Sequence, residues 1–254
     1  MADKSIPSTP SVVLFSDTFT EYSEPEIGVA AVEVLEAAGV RVEIAPHVCC
    51  GRPLISQGLL EDARRLATAN AERLLTAAER GDRIVFLEPS CLSAIRDDAP
   101  ALVRGDALAK ARVVAQASML FEEYLEARLT TGRARLRLAR GPSSITLHAH
   151  CHQRSMGLAP AARALLSRIP GAVVTDLDAG CCGMAGSFGY TRAHYDVSRA
   201  IGELKLLPAA RALPPDGVLA AAGTSCRHQV AHFAGVRAEH PAILLRSLLA
   251  RDGD

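Results

Sequence analysis

The chain has 254 residues, which suits one large domain or two of roughly 120 residues each, and is long enough to bury a core. Its 28 Lys and Arg balance its 28 Asp and Glu, so no global field draws it to nucleic acid or to an anionic membrane. Aromatics make up 4% of the residues and Trp is absent, which argues against base-stacking platforms, and no run approaches the ~18 apolar residues of a membrane span.

The opening MADKSIPSTP has no apolar h-region and reads as a disordered lead-in rather than a signal peptide, so a cytoplasmic protein with no membrane span is expected. SVVLFSD (11–17) reads as a strand, and PEIGVAAVEVLEAAGV (25–40) as a helix stopped at Gly39. RVEIAP (41–46) is a second strand running into Cys49 and Cys50. LLEDARRLATANAERLLTAAERG (59–81) is an amphipathic helix closed by Gly81, RIVFLEPSC (83–91) a buried strand delivering Cys91, and ASMLFEEYLEARL (117–129) a further helix. The basic stretch over 130–143 reads as a solvated linker or edge strand, given the neutral chain. Beyond it the order repeats. SITLHAHC (144–151) is a strand, APAARALLSRI (159–169) a helix, and AVVTDLDAGCC (172–182) a strand into a second cysteine pair. SRAIGELKLLPAARAL (198–213) is helical with a break at Pro208, GVLAAAGTSC (217–226) a strand delivering Cys226, and HPAILLRSLLA (240–250) a last helix.

Alternating strands and helices predict an α/β protein of two tandem, pseudo-duplicated βαβ (Rossmann-like) units with mostly parallel sheets, over 1–140 and 141–254. Laying SVVLFSDT over SITLHAHC puts Thr18 opposite Cys151. The first cysteine of each pair then follows by 31 residues in one half and 30 in the other. The next cysteine after each pair follows by 41 and 44. The duplication is therefore internal, with a threonine where the second half has a thiol.

Seven cysteines in a chain too large to need disulfide staples point to metal ligands or catalytic thiols. Ligands of open α/β sheets sit at the carboxyl ends of strands, where Cys151, Cys181, Cys182 and Cys226 are expected to meet. Such a thiolate set suits an iron–sulfur or zinc centre better than a hard cation. Gly183, Gly186 and Gly189 allow close backbone approach, with N–H groups aimed at a cluster. In the first half, Cys49, Cys50 and Cys91 lack a fourth thiol; His47 can complete a zinc set, or the site is empty. His150 and His152 are candidate ligands, outer-shell donors or proton relays, with His148 and His228 behind them. If the segment is extended, His148, His150 and His152 share one face and Cys151 takes the other. GMAGSFG lacks the Lys-Ser/Thr of a phosphate loop, and vicinal disulfides leave Cys151 and Cys226 unexplained.

CCGRPLISQGLL, LEPSCL, HAHCHQ, CCGMAGSFGY and GTSCRHQ, in this order over nearly the whole chain, resemble the cysteine-rich CCG domain. That domain occurs in the heterodisulfide reductase B subunit, the glycerol-3-phosphate dehydrogenase C subunit and the iron–sulfur subunit of glycolate oxidase. The chain looks most like the C-terminal region of FAD-linked D-lactate and other 2-hydroxyacid dehydrogenases. The resemblance implies metal sites that pass electrons from a flavin to an acceptor, with a flavoprotein dehydrogenase or a ferredoxin-type subunit as partner. The family's fullest pattern gives each half five cysteines, which resemble the ligand set of a non-cubane 4Fe-4S cluster. Here the second half matches at Cys151, Cys181, Cys182 and Cys226, with Gln229 in place of the last. The first matches at Cys49, Cys50 and Cys91, with Thr18 and Ala94 in the other two places. A four-cysteine 4Fe-4S cluster in the second repeat, and zinc or a second iron–sulfur cluster in the first, are the cofactors implied. The ferredoxin-type cysteine runs and the FAD domain of the larger enzymes are not in this sequence. The expected role is therefore an electron-transfer subunit or domain, the alternatives being a zinc-stabilised assembly module and a thiol–disulfide reductase.

Overall fold

The computed structural model describes residues 11–250; the expected lead-in at 1–10 lies outside them. The first unit runs β1 (Ser11–Leu14), α1 (Thr18–Tyr22), α2 (Pro25–Ala37), β2 (Arg41–Ile44), α3 (Arg52–Ser56), α4 (Leu60–Glu79), β3 (Arg83–Phe86) and α5 (Pro89–Ser93). A π-helical turn (Ala94–Asp98) leads on to α6 (Ala99–Leu102), α7 (Asp106–Ala117), β4 (Ser118–Leu120) and α8 (Phe121–Thr130). The second unit runs β5 (Ser144–Leu147), α9 (Cys151–Ser155), α10 (Ala159–Leu166), β6 (Val173–Asp176), a 3-10 turn (Phe188–Tyr190), α11 (Tyr195–Glu203), α12 (Leu206–Arg211), β7 (Gly217–Ala220), α13 (Thr224–Ala234) and α14 (Pro241–Ser247).

Both sheets are parallel, in the orders β2-β1-β3-β4 and β6-β5-β7, so the duplication read from the cysteine spacing is a duplication of topology. The registers correspond: Ser11 pairs with Arg41, and Ser144 with Val173. The fourth strand of the second sheet has shrunk to a single bridge between Ala220 and Glu239. β-branched and aliphatic residues fill the central strands, which helices cover on both sides, as a parallel sheet requires.

The two units share one core. Each unit's first crossover helix packs on the other's last helix, α2 on α14 and α10 on α8. Leu35 and Leu125 from the first unit meet Leu165 and Leu245 from the second in a single buried cluster. Each such leucine contributes about 1.5–3 kcal/mol by burial, which is the footing of a fixed interface rather than a hinge. Ion pairs rim it at corresponding places, Arg246 with Glu33 and Arg168 with Glu126, both at 2.6 Å.

The structure corrects the local reading at several points. The strands expected to reach Cys91, Cys151 and Cys226 end at Phe86, Leu147 and Ala220, and a helix begins before each cysteine or at it. Capping is the cause. Glu88 accepts the Ser90 N–H at 3.1 Å and His150 accepts that of His152 at 3.2 Å, so polar residues read as strand ends are N-caps. The alternating face proposed for the histidines therefore does not exist: His150 caps α9 and His152 is inside it. The helix expected from 117 starts at Phe121, because Ser118–Leu120 pair with β3. The break expected at Pro208 lies at Leu204 and Lys205; Pro208 sits in the first turn of α12, where its missing N–H costs nothing. The basic stretch lies along the second unit as an edge, Leu138 bridging Leu249. No helix among the described residues is long and apolar enough to cross a membrane.

Candidate metal centre

In the second unit Cys151 is the first residue of α9 and Cys226 the third of α13, while Cys181 and Cys182 lie in the loop after β6. Neighbouring thiols perturb one another in series, Cys151 with Cys181, Cys181 with Cys182 and Cys182 with Cys226. The series runs inward: Cys151 and Cys181 are exposed, Cys182 and Cys226 buried. Along it the charge preference alternates. Hydrogen bonds from Cys151 and Cys182, then from the Gly183 and Ala185 N–H groups, hold Cys181 far down, at about 2. Its bond with Cys182, helped by the rings of His150 and His148, lowers Cys226 despite complete burial. Cys151 and Cys182, which keep the protons in those bonds, are raised.

The loop that does this is conformationally costly. Gly183 has φ +100°, Ala185 φ +43° and Gly186 φ +70°, turning the Gly183 N–H onto the Cys181 sulfur at 3.3 Å. A Cβ on Gly183 would lie 2.2 Å from the Ser198 carbonyl oxygen, so glycine is needed for space as well as for φ. A Cβ on Gly186 would meet nothing within 4 Å. Gly189 is also tight, its Cβ position lying 2.3 Å from Ser198 Oγ.

The first unit repeats the device with a different electrostatic outcome. Gly51, φ +87°, donates to Cys49 Sγ at 3.5 Å, and Cys50 donates to Cys91 at 3.0 Å. Thr18 perturbs Cys49 from the position that Cys151 holds beside Cys181. None of the three thiols is favoured as thiolate. The bond to Cys50 and burial raise Cys49. For Cys50 the contact with Cys49 is outweighed by its bond to Cys91 and by burial. For Cys91 the bond from Cys50 is outweighed by burial and by the Asp17 and Glu88 carboxylates, leaving it at about 11.

Among the described residues, no three His, Cys, Asp or Glu side chains are set in the geometry of a metal ion. The donor set of the second unit nonetheless matches a sulfur-bridged centre. It offers four thiols, backbone N–H groups directed at one of them, and the fully buried His148, whose ring lies beside Cys226 with neither nitrogen completing a hydrogen bond of good geometry. A cluster sulfide beside that ring would be the acceptor it lacks.

The other candidates are placed elsewhere. His47 bonds the Ser16 carbonyl through Nδ1 at 2.9 Å and lies edge-on to Tyr22; these contacts, rather than a thiol, hold it. His150 is buried 3.9 Å from the Cys151 sulfur. His152 stacks on His150 and bonds Ser93 of the first unit at 2.7 Å, with burial and Arg52 lowering its pKa. His228 is on the surface, bonded to the Tyr190 hydroxyl. Gln229 is buried and donates to Ser198, its Oε1 unpartnered. Ala94 opens the π-helical turn after Cys91.

Asp17 escaped the sequence reading, and so did the capping role of Glu88. Asp17 caps α1 at the position where His150 caps α9. Glu88, buried and held below the usual carboxylate range, has its burial outweighed by His150 and by two backbone N–H groups. The signal for both was the Asp or Glu one or two residues before a short helix start.

The family described as "CCG: Cysteine-rich domain" matches residues 16–96 and 145–231, one block in each unit. The chain is 31% identical over 243 residues to the anaerobic glycerol-3-phosphate dehydrogenase C subunit of Escherichia coli (strain K12), covering 94% of this chain and 59% of that protein. It is 30% identical over 233 residues to D-2-hydroxyglutarate dehydrogenase of Pseudomonas putida, covering 91% of this chain and 22% of that protein. It is 30% identical over 183 residues to lactate utilization protein A of Macrococcus caseolyticus, covering 70% and 71%. The chain thus spans well under two thirds of the length of the first two relatives.

Proposed function

The chain belongs to the family of the CCG cysteine-rich domain, and from that premise we propose that it is an iron–sulfur electron-transfer subunit or domain. It relays electrons from a flavin-dependent 2-hydroxyacid dehydrogenase, of the lactate or glycolate type, to a downstream acceptor. The observation that carries this reading is the set of four thiols, each perturbing the next, carried on α9, the loop after β6 and α13, with the Gly183 N–H turned onto Cys181. The names of the relatives, all tied to dehydrogenation or lactate use, point the same way.

Cys151, Cys181, Cys182 and Cys226 would hold a 4Fe-4S cluster, which when bound supplies a one-electron carrier. The residues around it have separable tasks. The Gly183 and Ala185 N–H groups favour negative charge on the Cys181 sulfur, which stabilises a thiolate ligand. The buried Cys182, Cys226 and Met184 keep water from the inner side. The exposed Cys151 and Cys181 put the outer edge within reach of a partner protein.

For the first unit, the 3.0 Å contact between Cys50 and Cys91, with Thr18 in the fourth place, supports a different reading: a zinc or second iron–sulfur site, or a dithiol. Purification without oxygen, followed by visible and EPR spectra and assays of iron, sulfide and zinc, tests the proposal. A brown protein with iron and sulfide is expected. A colourless chain carrying only stoichiometric zinc would make it an assembly module, and a metal-free chain with reversible disulfides a thiol–disulfide reductase.

A further inference from the structure

The helix that presents Cys226 lacks a cap of its own. Its N-cap residue is Gly223, which has no side chain to offer. Glycine is required there, because a Cβ would lie 2.3 Å from Cδ2 of the buried His150 ring. The missing cap comes from the other unit: Glu88 Oε2 accepts the Thr224 N–H at 2.8 Å, across 136 residues of sequence. The other oxygen, Oε1, accepts the Ser90 N–H at 3.1 Å in α5, the helix that presents Cys91. Cys91 and Cys226 are each the third residue of their helix. One buried carboxylate therefore caps, with its two oxygens, the two helices that carry the corresponding thiols of both sites. The N-terminal half-charges of both helices favour an anion at that point.

We propose that Glu88 is a positioning residue that couples the two thiol sites, fixing Cys226 from the first unit and Cys91 from within it, so that neither site is set independently of the other. It takes the thiol sets as the working sites of the function proposed above. The arrangement gives the duplication a use: the second site cannot be completed by the second unit alone. Of the other contacts across this seam, Arg227 with Glu24 touches α13 alone, and His240 with the Leu87 carbonyl touches neither helix.

The test uses the full chain in three forms: wild type, Glu88→Gln and Thr224→Pro. Gln keeps the shape of Glu88 but loses the charge and turns one acceptor into a donor facing an N–H. Thr224→Pro deletes the donor on α13, together with the hydroxyl that accepts from Arg227 at 3.1 Å, and leaves α5 untouched. Proline suits the first position of a helix, and Gly223, at φ −76° and ψ +126°, already has the extended conformation that a following proline requires. The metal-free chain is alkylated under native conditions, and labelling is followed at each cysteine by mass spectrometry. A lost cap of ordinary strength shifts a local opening equilibrium by about tenfold. Glu88→Gln should raise labelling by about that factor at both Cys91 and Cys226. Thr224→Pro should raise it at Cys226 and leave Cys91 at the wild-type rate. A Glu88→Gln effect confined to Cys91, or a Cys226 rate unmoved by Thr224→Pro, overturns the proposal. Should Glu88→Gln fail to fold, Thr224→Pro decides alone. Since no metal is present, a failure here is distinct from a failure of the iron–sulfur reading, which the metal assays address.

Discussion

Replacing Gly183 by alanine separates the two demands that the second cysteine loop places on glycine. Its φ of +100° costs an L-residue about 1–2 kcal/mol. The added Cβ would also stand 2.2 Å from the Ser198 carbonyl oxygen and 3.0 Å from its carbon, which are backbone atoms of α11 and cannot rotate away. Relieving that overlap moves the loop or the helix, at roughly 1–3 kcal/mol. The sum is about 2–5 kcal/mol. Gly51, the counterpart in the first unit at φ +87°, has its nearest neighbour at 3.7 Å, and Gly186, at φ +70°, has none within 4 Å. Each should lose only the conformational part, about 1–2 kcal/mol. Urea unfolding of the three variants gives the stabilities, and iron per chain gives the consequence for the site. Gly183→Ala is expected to be the least stable and the only one depleted in iron. Equal losses in Gly183→Ala and Gly186→Ala would refute the argument that close packing on Ser198, not φ alone, fixes the loop.

Two buried titratable groups give the stability a pH dependence of opposite sign. His240 caps α14 and bonds the Leu87 carbonyl; burial and then Arg227 lower its pKa to about 3. The unfolded chain therefore binds a proton that the folded chain refuses, and stability falls as pH drops below about 6.5, by about 2 kcal/mol at pH 5. His240→Asn, which keeps a capping oxygen, should remove that acid loss, and an acid limb as steep as wild type would count against it. Glu122 is raised by burial to about 7 and has an unpartnered oxygen, so the folded chain holds a proton that the unfolded one releases. Stability then falls as pH rises from about 4.5 to 7. Glu122→Gln should gain roughly 2–3 kcal/mol over wild type at pH 8.5 relative to pH 5, and parallel pH profiles for the two proteins would contradict this.

The fold was legible because its signals are local and periodic. The buried strands, the long amphipathic helix over 60–79 and the equal cysteine spacing gave the duplicated parallel topology directly. What escaped was the short helix after each central strand. A helix of five residues such as α5 or α9 is too short for periodicity to reveal, and its start depends on caps that read as ordinary polar loop residues. The thiols of the second site were legible as a candidate set, Cys151, Cys181, Cys182 and Cys226, which the fold carries on α9, the loop after β6 and α13. The electrostatic contrast between the sites was not, because a glycine N–H meets the first cysteine of the pair in both, and the difference rests on contacts among the thiols and on burial beside Asp17 and Glu88. The cap that Glu88 provides to α13 could not be read from sequence: its partner there is 136 residues away and is a backbone group with no side-chain signature.

The central claim is that the second unit holds an iron–sulfur cluster on four thiols. It is tested most directly by iron and acid-labile sulfide per chain in Cys226→Ser, purified without oxygen beside wild type and Cys91→Ser. The wild type should carry both elements, Cys91→Ser should keep most of them, and Cys226→Ser should lose them together with the visible absorption. Iron and sulfide in Cys226→Ser equal to wild type, or a wild-type chain with neither, would contradict the account.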